Sequence, residues 1–418
     1  MNPQSQKILQ EITNEKDANR IFSLWQLYRH ELRGVRLLTH IENHDSKLLP
    51  KSLEKKEFEG KSTAFLQEFY KNQSLLAISN EILDNHNSQE TIDFPIDYSL
   101  LLDSNFVGSI DCFLRRVPIE NNHEAVTKAL YYIRSNQLNC DALPYLFENA
   151  EHFKERKTEI KRTLASFLRF SSSTPKGASI EDPADLEFKM SETESLVEAE
   201  RRITKFYGDK KFIDMQVTRQ KLDFYMILSI IHIENCTTGG LFEKFTSLIN
   251  IMHSELGGIS LRELLVGYKY FKNSNSIFIL ANVPKLVKEA NSSATAIRNI
   301  SWDFHFFRLM ETWASDTSKG KFFIPMLLTL DKRLADLSEI YPVKYSAFHD
   351  TEQKMYSVPL FNFKDKIDNK ACRNILNEHF TPESIIQRRE IGRPTIVKLE
   401  KLIAQKCREL DRFFLPRK

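Results

Sequence analysis

Two short apolar runs, each ending in an aspartate and followed at once by a helical pattern, constrain this chain more than any other feature. The first begins near Pro95 and closes as Leu100-Leu101-Leu102-Asp103-Ser104-Asn105, after which Phe106, Val107, Ile110, Phe113 and Leu114 recur at helical spacing. The second, Phe322 to Leu330, ends in Asp331, and Lys332-Arg333-Leu334 opens an amphipathic helix through Leu337 and Ile340. Apolar runs this short read as buried strands, which parallel sheets covered by helices require. Pro325 has no N–H to give a ladder, so the second strand is expected over Met326 to Leu330. In an open α/β sheet the ligand crevice lies at the carboxyl ends of the strands. As neighbours in a parallel sheet, the two strands would place Asp103 and Asp331 at that crevice.

The rest of the chain is expected to be rich in helix. Only 12 Gly and 14 Pro punctuate 418 residues, roughly half the usual share, so obligatory turns are few. Hydrophobic residues at 41%, including 30 Phe, supply a large core, and the length predicts about two to three domains. Basic residues exceed acidic ones by only 3, too few for a long-range field, so any polyanion site must be local. No apolar stretch near the start suits a signal peptide. The longest apolar run, Phe224 to Ile233, is about half the ~20 residues a membrane span needs. A cytoplasmic protein is expected. Five cysteines, Cys112, Cys140, Cys236, Cys372 and Cys407, are odd in number and without CxxC spacing, which argues for reduced thiols.

Along the chain, residues 1–90 read as a helical N-terminal extension. Phe22, Leu24, Trp25, Leu27 and Tyr28, then Phe65, Leu66, Phe69 and Tyr70, recur near a 3.6-residue period, and a polar break follows from Asn85 to Glu90. A core is expected from 91–170 and 276–350, interrupted by a helical insertion at 171–275 and followed by a C-terminal extension at 351–418. The linker-like stretch Ser171 to Asp185 marks the first interruption. Ser191 with Glu194, and Ser260 with Glu263, have the spacing of capping boxes. Gly239-Gly240 and Gly257-Gly258 separate helices. Ser276 to Ala281 fits either a buried strand or a helical piece. Asp303, Phe306, Phe307 and Met310 share one helical face, a tight DTSKGK segment follows, and a last helix is expected from Thr395 to Phe414.

Four acidic segments follow one another in an order that resembles the signature of PIN-like nuclease domains. They are LLLDSN with Asp103, LPYLFENA with Glu148, ISWDFHFF with Asp303 and LLTLDKRL with Asp331. They match a strand ending in D-x-[ST/N], a mid-chain helical glutamate, an aspartate at a helix start, and a strand ending in T-x-D. The long interval from Glu148 to Asp303 departs from the pattern and leaves room for the helical insertion. The resemblance implies an α/β fold with a short parallel sheet and a Mg²⁺- or Mn²⁺-dependent nuclease, usually an endoribonuclease.

Physical chemistry points the same way. Converging carboxylates repel and raise one another's pKa unless a cation neutralises them, and oxygen-only ligands favour Mg²⁺ or Mn²⁺ over zinc. Asp103 and Asp331 would be the principal ligands, with Glu148 and Asp303 binding directly or through water. Asn105 and Thr329 would orient carboxylate or phosphate. Arg115, Arg116, Lys332 and Arg333 would hold the nucleic-acid backbone. Each also has a plainer reading: helix caps for the aspartates, a solvated helix face for Glu148, a turn for Asn105, a strand filler for Thr329, core packing for Trp302. Nuclease action on DNA, and a non-catalytic helical protein that binds a protein partner, are the alternative expectations.

Other constellations are incomplete. Gly60-Lys61-Ser62-Thr63 ends like a phosphate loop, but Lys55 occupies the place of the first glycine. His40 and His44 lack the glutamate directly after the first histidine that a zinc protease requires. His232 and Glu234 are expected to be structural, and His305 is the one histidine with a candidate auxiliary role.

Overall fold

The computed structural model describes residues 3–42, 49–71, 74–87, 96–314, 322–351 and 354–415. The polar break beyond Asn87, Pro95, His44 and the DTSKGK segment lie outside the described residues. The chain forms two compact units. The first comprises Met1–Gly208, Arg308–Ser338 and Pro342–Leu360; the second comprises Asp209–Phe307, Glu339–Tyr341 and Phe361–Lys418.

All the described strands belong to the first unit. In chain order they are β1 (Val35–His40), β2 (Lys56–Glu59), β3 (Thr63–Glu68), β4 (Leu75–Ser79), β5 (Ile96–Leu102), β6 (Cys140–Asp141), β7 (Ser173–Pro175), β8 (Leu186–Phe188), β9 (Phe322–Thr329), β10 (Val343–His349) and β11 (Lys354–Pro359). One sheet is antiparallel, in the order β11-β10-β1-β4. Ile8, Leu9, Ile12, Ile21 and Trp25, from the helices Pro3–Asn14 and Ala18–Leu27, join Val35, Leu37, Ile78 and Ala347 of that sheet in one buried cluster.

The N-terminal ninety residues are therefore not a helical extension. Two helices precede four strands, and β3 contains Phe65 and Leu66, whose spacing with Phe69 and Tyr70 had suggested a helix. The middle of β3 is buried on both faces, so it lacks the apolar–polar alternation that distinguishes a strand.

The second sheet runs β2-β3-β9-β5-β6. Its β9-β5-β6 portion is parallel, whereas β3 runs antiparallel to β9. The helix Ser104–Leu114 buries Phe106, Val107, Ile110 and Phe113 and packs against the helix Phe153–Ser171. Pro325 lies within β9, contrary to the shorter strand expected. It pairs with Ser99 of β5, while the ladder with β3 begins only at Met326. Its missing N–H thus costs no bond to β3. The linker-like stretch after Ser171 is ordered as the β7–β8 hairpin and a short 3₁₀ turn.

In the second unit every described regular element is a helix. The helix Lys210–Cys236 carries the apolar run, in which every residue from Phe224 to Ile231 is buried. It packs against the terminal helix Ile396–Phe414, which is capped by the Thr395 hydroxyl. The helices Leu241–Ser254 and Leu261–Lys272 approach closely at Gly267, where an added Cβ would lie 2.3 Å from Leu248 Cδ2. Residues 278–281 of the ambiguous SIFILA segment form a short helix. Ser191 and Glu194 form the expected capping box, but Ser260 donates its hydroxyl to the Glu263 carboxylate and caps no backbone amide. No helix among the described residues is long and apolar enough to cross a membrane.

Candidate active site at the strand ends

β5 and β9 run side by side with Leu102 opposite Leu328, and the Asp103 N–H donates to the Leu328 carbonyl at 3.1 Å. This register places Asp103 beside the end of β9. Asp103 is the N-cap of the helix Ser104–Leu114: one carboxylate oxygen accepts the Phe106 N–H at 2.6 Å. Its other oxygen accepts the Thr329 hydroxyl. Thr329 in turn accepts the Asp331 N–H at 2.9 Å, so a single hydroxyl bridges the two strand-end acids.

Asp331 begins the helix Lys332–Ser338 and folds back on Arg333. Its Oδ1 accepts the Arg333 N–H at 2.8 Å and Nε at 2.9 Å, and its Oδ2 accepts Nη2 at 2.5 Å. Glu148 ends the helix Leu143–Glu148, which follows β6, and is half-buried.

The electrostatics join these acids. Burial pushes the Asp103 carboxyl up to about 6; the Thr329 hydroxyl and the Phe106 amide oppose the rise, and the Asp331 charge adds to it. Burial likewise pushes Glu148 up to about 7, with the Ser104 hydroxyl opposing and the Asp103 charge reinforcing. Asp103 therefore feels the charge of Asp331 and exerts its own on Glu148. Three of the four expected acids thus belong to the first unit, coupled in pairs through Asp103. Asp303, half-buried on the helix Ser293–Ala314, belongs to the second unit.

The donor set is oxygen-only and strongly anionic, which suits a hard divalent cation in kind. In arrangement it does not yet form a coordination shell. Asp103 already uses each oxygen as a hydrogen-bond acceptor, and the Asp331 carboxylate is closed by Arg333. Among the described residues no three His, Cys, Asp or Glu side chains are grouped to hold a metal ion.

The remaining expected site residues have local partners or are exposed. Asn105 is exposed in the first helical turn. Arg115 pairs with buried Asp111 at 3.2 Å, Arg116 with Asp182 at 2.8 Å, and Lys332 with Asp336 at 2.6 Å. Each cation expected at the nucleic-acid backbone is thus tied to an acid, Arg333 included. Trp302 is buried, and the candidate auxiliary histidine, His305, is fully buried against Asp223 of the second unit at 2.7 Å. His232 pairs with Glu409 at 2.6 Å and Glu234 with Lys244 at 2.9 Å.

Two residues escaped the sequence reading. Asp141 ends β6, the third parallel strand, and accepts the Leu143 N–H at 2.8 Å; a strand of two residues gives no readable apolar run. Ser104 lies in the first motif, yet its electrostatic effect on Glu148 depends on the fold, and its buried hydroxyl makes no hydrogen bond among the described residues. No family model, curated protein or solved structure matches the chain.

Proposed function

We propose that the first unit is a PIN-like phosphodiesterase, a metal-dependent endoribonuclease working at the carboxyl ends of β5, β6 and β9. One observation carries this reading: Asp103 interacts electrostatically with both Asp331 and Glu148, and burial drives its carboxyl and that of Glu148 toward neutral pH. Groups so perturbed in one place are the mark of a site for proton transfer or cation binding.

Glu148, with its pKa near 7, is matched to proton transfer at neutral pH. Its carboxylate would take a proton from an attacking water, and its acid form would return one to the leaving 3′ oxygen. Thr329 fixes the Asp103 carboxylate, and Asp103 keeps Glu148 basic by its charge. A Mg²⁺ or Mn²⁺ ion would be held directly by Asp103 and reached by Glu148 only through water, which leaves the Glu148 carboxyl free for proton transfer; when bound, the ion would supply the charge neutralisation that phosphodiester hydrolysis needs. Arg333 competes with such an ion for Asp331. The acids address phosphate, so the preference for RNA over DNA rests on the resemblance alone.

The test is cleavage of matched RNA and DNA oligomers with Mn²⁺ by the wild-type chain, Glu148→Gln and Asp103→Asn. Cleavage lost in both variants supports the reading; undiminished cleavage in both ends it. DNA cut in preference to RNA corrects the substrate. A second reading is favoured by the fact that Asp103 and Asp331 each complete a local structural role without an ion: a non-catalytic protein that binds a partner through its helices. It predicts no turnover on either polymer and no Mn²⁺ binding that depends on these carboxylates.

A further inference from the structure

Away from the strand-end acids, the second unit brings together two histidines from distant parts of the sequence. His253 lies in the last turn of the helix Leu241–Ser254, and His379 is the C-cap of the helix Lys370–Glu378. Their Nδ1 atoms are 3.1 Å apart, and the rings meet at 63° with centroids 4.9 Å apart. Both side chains are half-buried, so water reaches the pair.

We propose that His253 and His379 form a two-imidazole site for a divalent transition-metal ion of the Zn²⁺ or Ni²⁺ class, with water completing the coordination shell. The spacing fits. At metal–imidazole distances of about 2.0–2.1 Å, two nitrogens on one ion lie about 2.9 Å apart at a right angle and about 3.4 Å apart at a tetrahedral angle. The observed 3.1 Å falls between these values. The present contact is a nitrogen-to-nitrogen hydrogen bond, which needs one proton between the rings, and a metal ion would take that proton's place.

The surroundings keep the ligands in the required form. Burial, followed by the Arg388 charge, holds His253 below its ordinary pKa; burial, His253 and Arg388 do the same for His379, against a smaller opposing effect of Glu378. Both shifts favour the neutral ring that ligation demands. Arg388 donates to the His379 carbonyl and is held over the Phe380 ring at 5.4 Å. Its charge opposes any cation, which excludes weak hard-ion binding and leaves metals with strong imidazole affinity. The bound ion would tie together two helix ends 126 residues apart in sequence.

The test is thermal unfolding of the full chain with Zn²⁺ or Ni²⁺ and without Mg²⁺ or Mn²⁺, each variant compared with its own metal-free state. Wild type should show a metal-dependent rise in Tm that EDTA reverses. His253→Ala and His379→Ala should each lose that rise, whatever their metal-free stability, and calorimetric affinity should fall at least tenfold. Asp103→Asn, at the strand-end site, should keep it. No rise in wild type, or an undiminished rise in the double histidine variant, overturns the site.

Discussion

The Thr329 hydroxyl donates to the Asp103 carboxylate across two neighbouring parallel strands. Thr329 also accepts the Asp331 N–H at 2.9 Å, so the same side chain fixes both acids. Thr329→Val keeps the shape and removes the hydroxyl, leaving one oxygen of buried Asp103 without its donor. The expected cost is about 1–3 kcal/mol at pH 7. It should shrink near pH 5, where the Asp103 carboxyl is protonated. Urea unfolding at the two pH values measures this, and Thr329→Ser should behave as wild type. Equal losses at both pH values would show that the hydroxyl acts through the Asp331 N–H and not through the Asp103 charge.

The raised carboxyls make stability depend on pH with a definite sign. Folding lifts Asp103 from 3.8 to about 6 and Glu148 from 4.5 to about 7. The folded state then binds protons more tightly than the unfolded chain, so the contribution of these groups is fully present below about pH 4 and is lost as pH rises through about 6 and 7. Glu148→Gln should flatten this fall and gain on the order of 1–2 kcal/mol at pH 8. A melting series from pH 4 to pH 8 decides it. A variant curve parallel to wild type would mean that Glu148 ionises freely in the folded protein.

The parts of the fold legible in the sequence are those where a short apolar run meets a helix cap. β5, β9 and the helices after them follow from Leu100–Asn105 and Leu327–Leu334, because a buried parallel strand needs a continuous apolar run and its helix needs an N-cap. β3 was illegible for the complementary reason: Phe65, Leu66, Phe69 and Tyr70 fit a helical period as well as a doubly buried strand. The meeting of Asp103 with Glu148 was suggested only by the order of motifs. Its electrostatic consequence depends on burial, which no spacing encodes. The clamp of Arg333 on Asp331 also escaped, since a basic residue two positions after an acid is ordinarily solvated.

Arg333→Gln should separate the competing roles of Asp331. The guanidinium contacts both oxygens of the Asp331 carboxylate, at 2.9 and 2.5 Å. Removing it frees an anion beside Asp103 and raises the demand for a cation. The variant is expected to show a larger Mn²⁺-dependent rise in Tm than wild type and lower stability without Mn²⁺. A response to Mn²⁺ identical to wild type would place Asp331 outside any ion site.

The buried pair in the second unit carries an energetic expectation of its own. His305 is fully buried, with Nδ1 2.7 Å from an Asp223 oxygen, and Asp223 is itself buried. His305→Leu removes the ring nitrogen from that oxygen. Removing one partner of a buried hydrogen bond costs about 1–3 kcal/mol. His305→Leu with Asp223→Leu removes both polar groups and should recover part of the loss. Denaturant titration of the three variants gives the coupling directly, and additive losses would show that the two side chains act independently.

Gly267→Ala sets helix propensity against packing. In an exposed helix interior this change favours the helix by about 1 kcal/mol. At Gly267 the new methyl would stand 2.3 Å from Leu248 Cδ2 and 3.3 Å from Ile230 Cγ1. Leu248 and Ile230 are both fully buried, so neither can swing aside into solvent. Overpacking of this kind costs about 1–3 kcal/mol, and with Leu248 closed in on all sides the net change is expected to be destabilising by 1 kcal/mol or more. Leu248→Ala alone should also destabilise, through the cavity it leaves. Combined with Gly267→Ala, it makes room for the new methyl, and the double variant should be more stable than the sum of the single losses predicts. Strict additivity would mean that the helices Leu241–Ser254 and Leu261–Lys272 part easily, and that Gly267 does not set their separation.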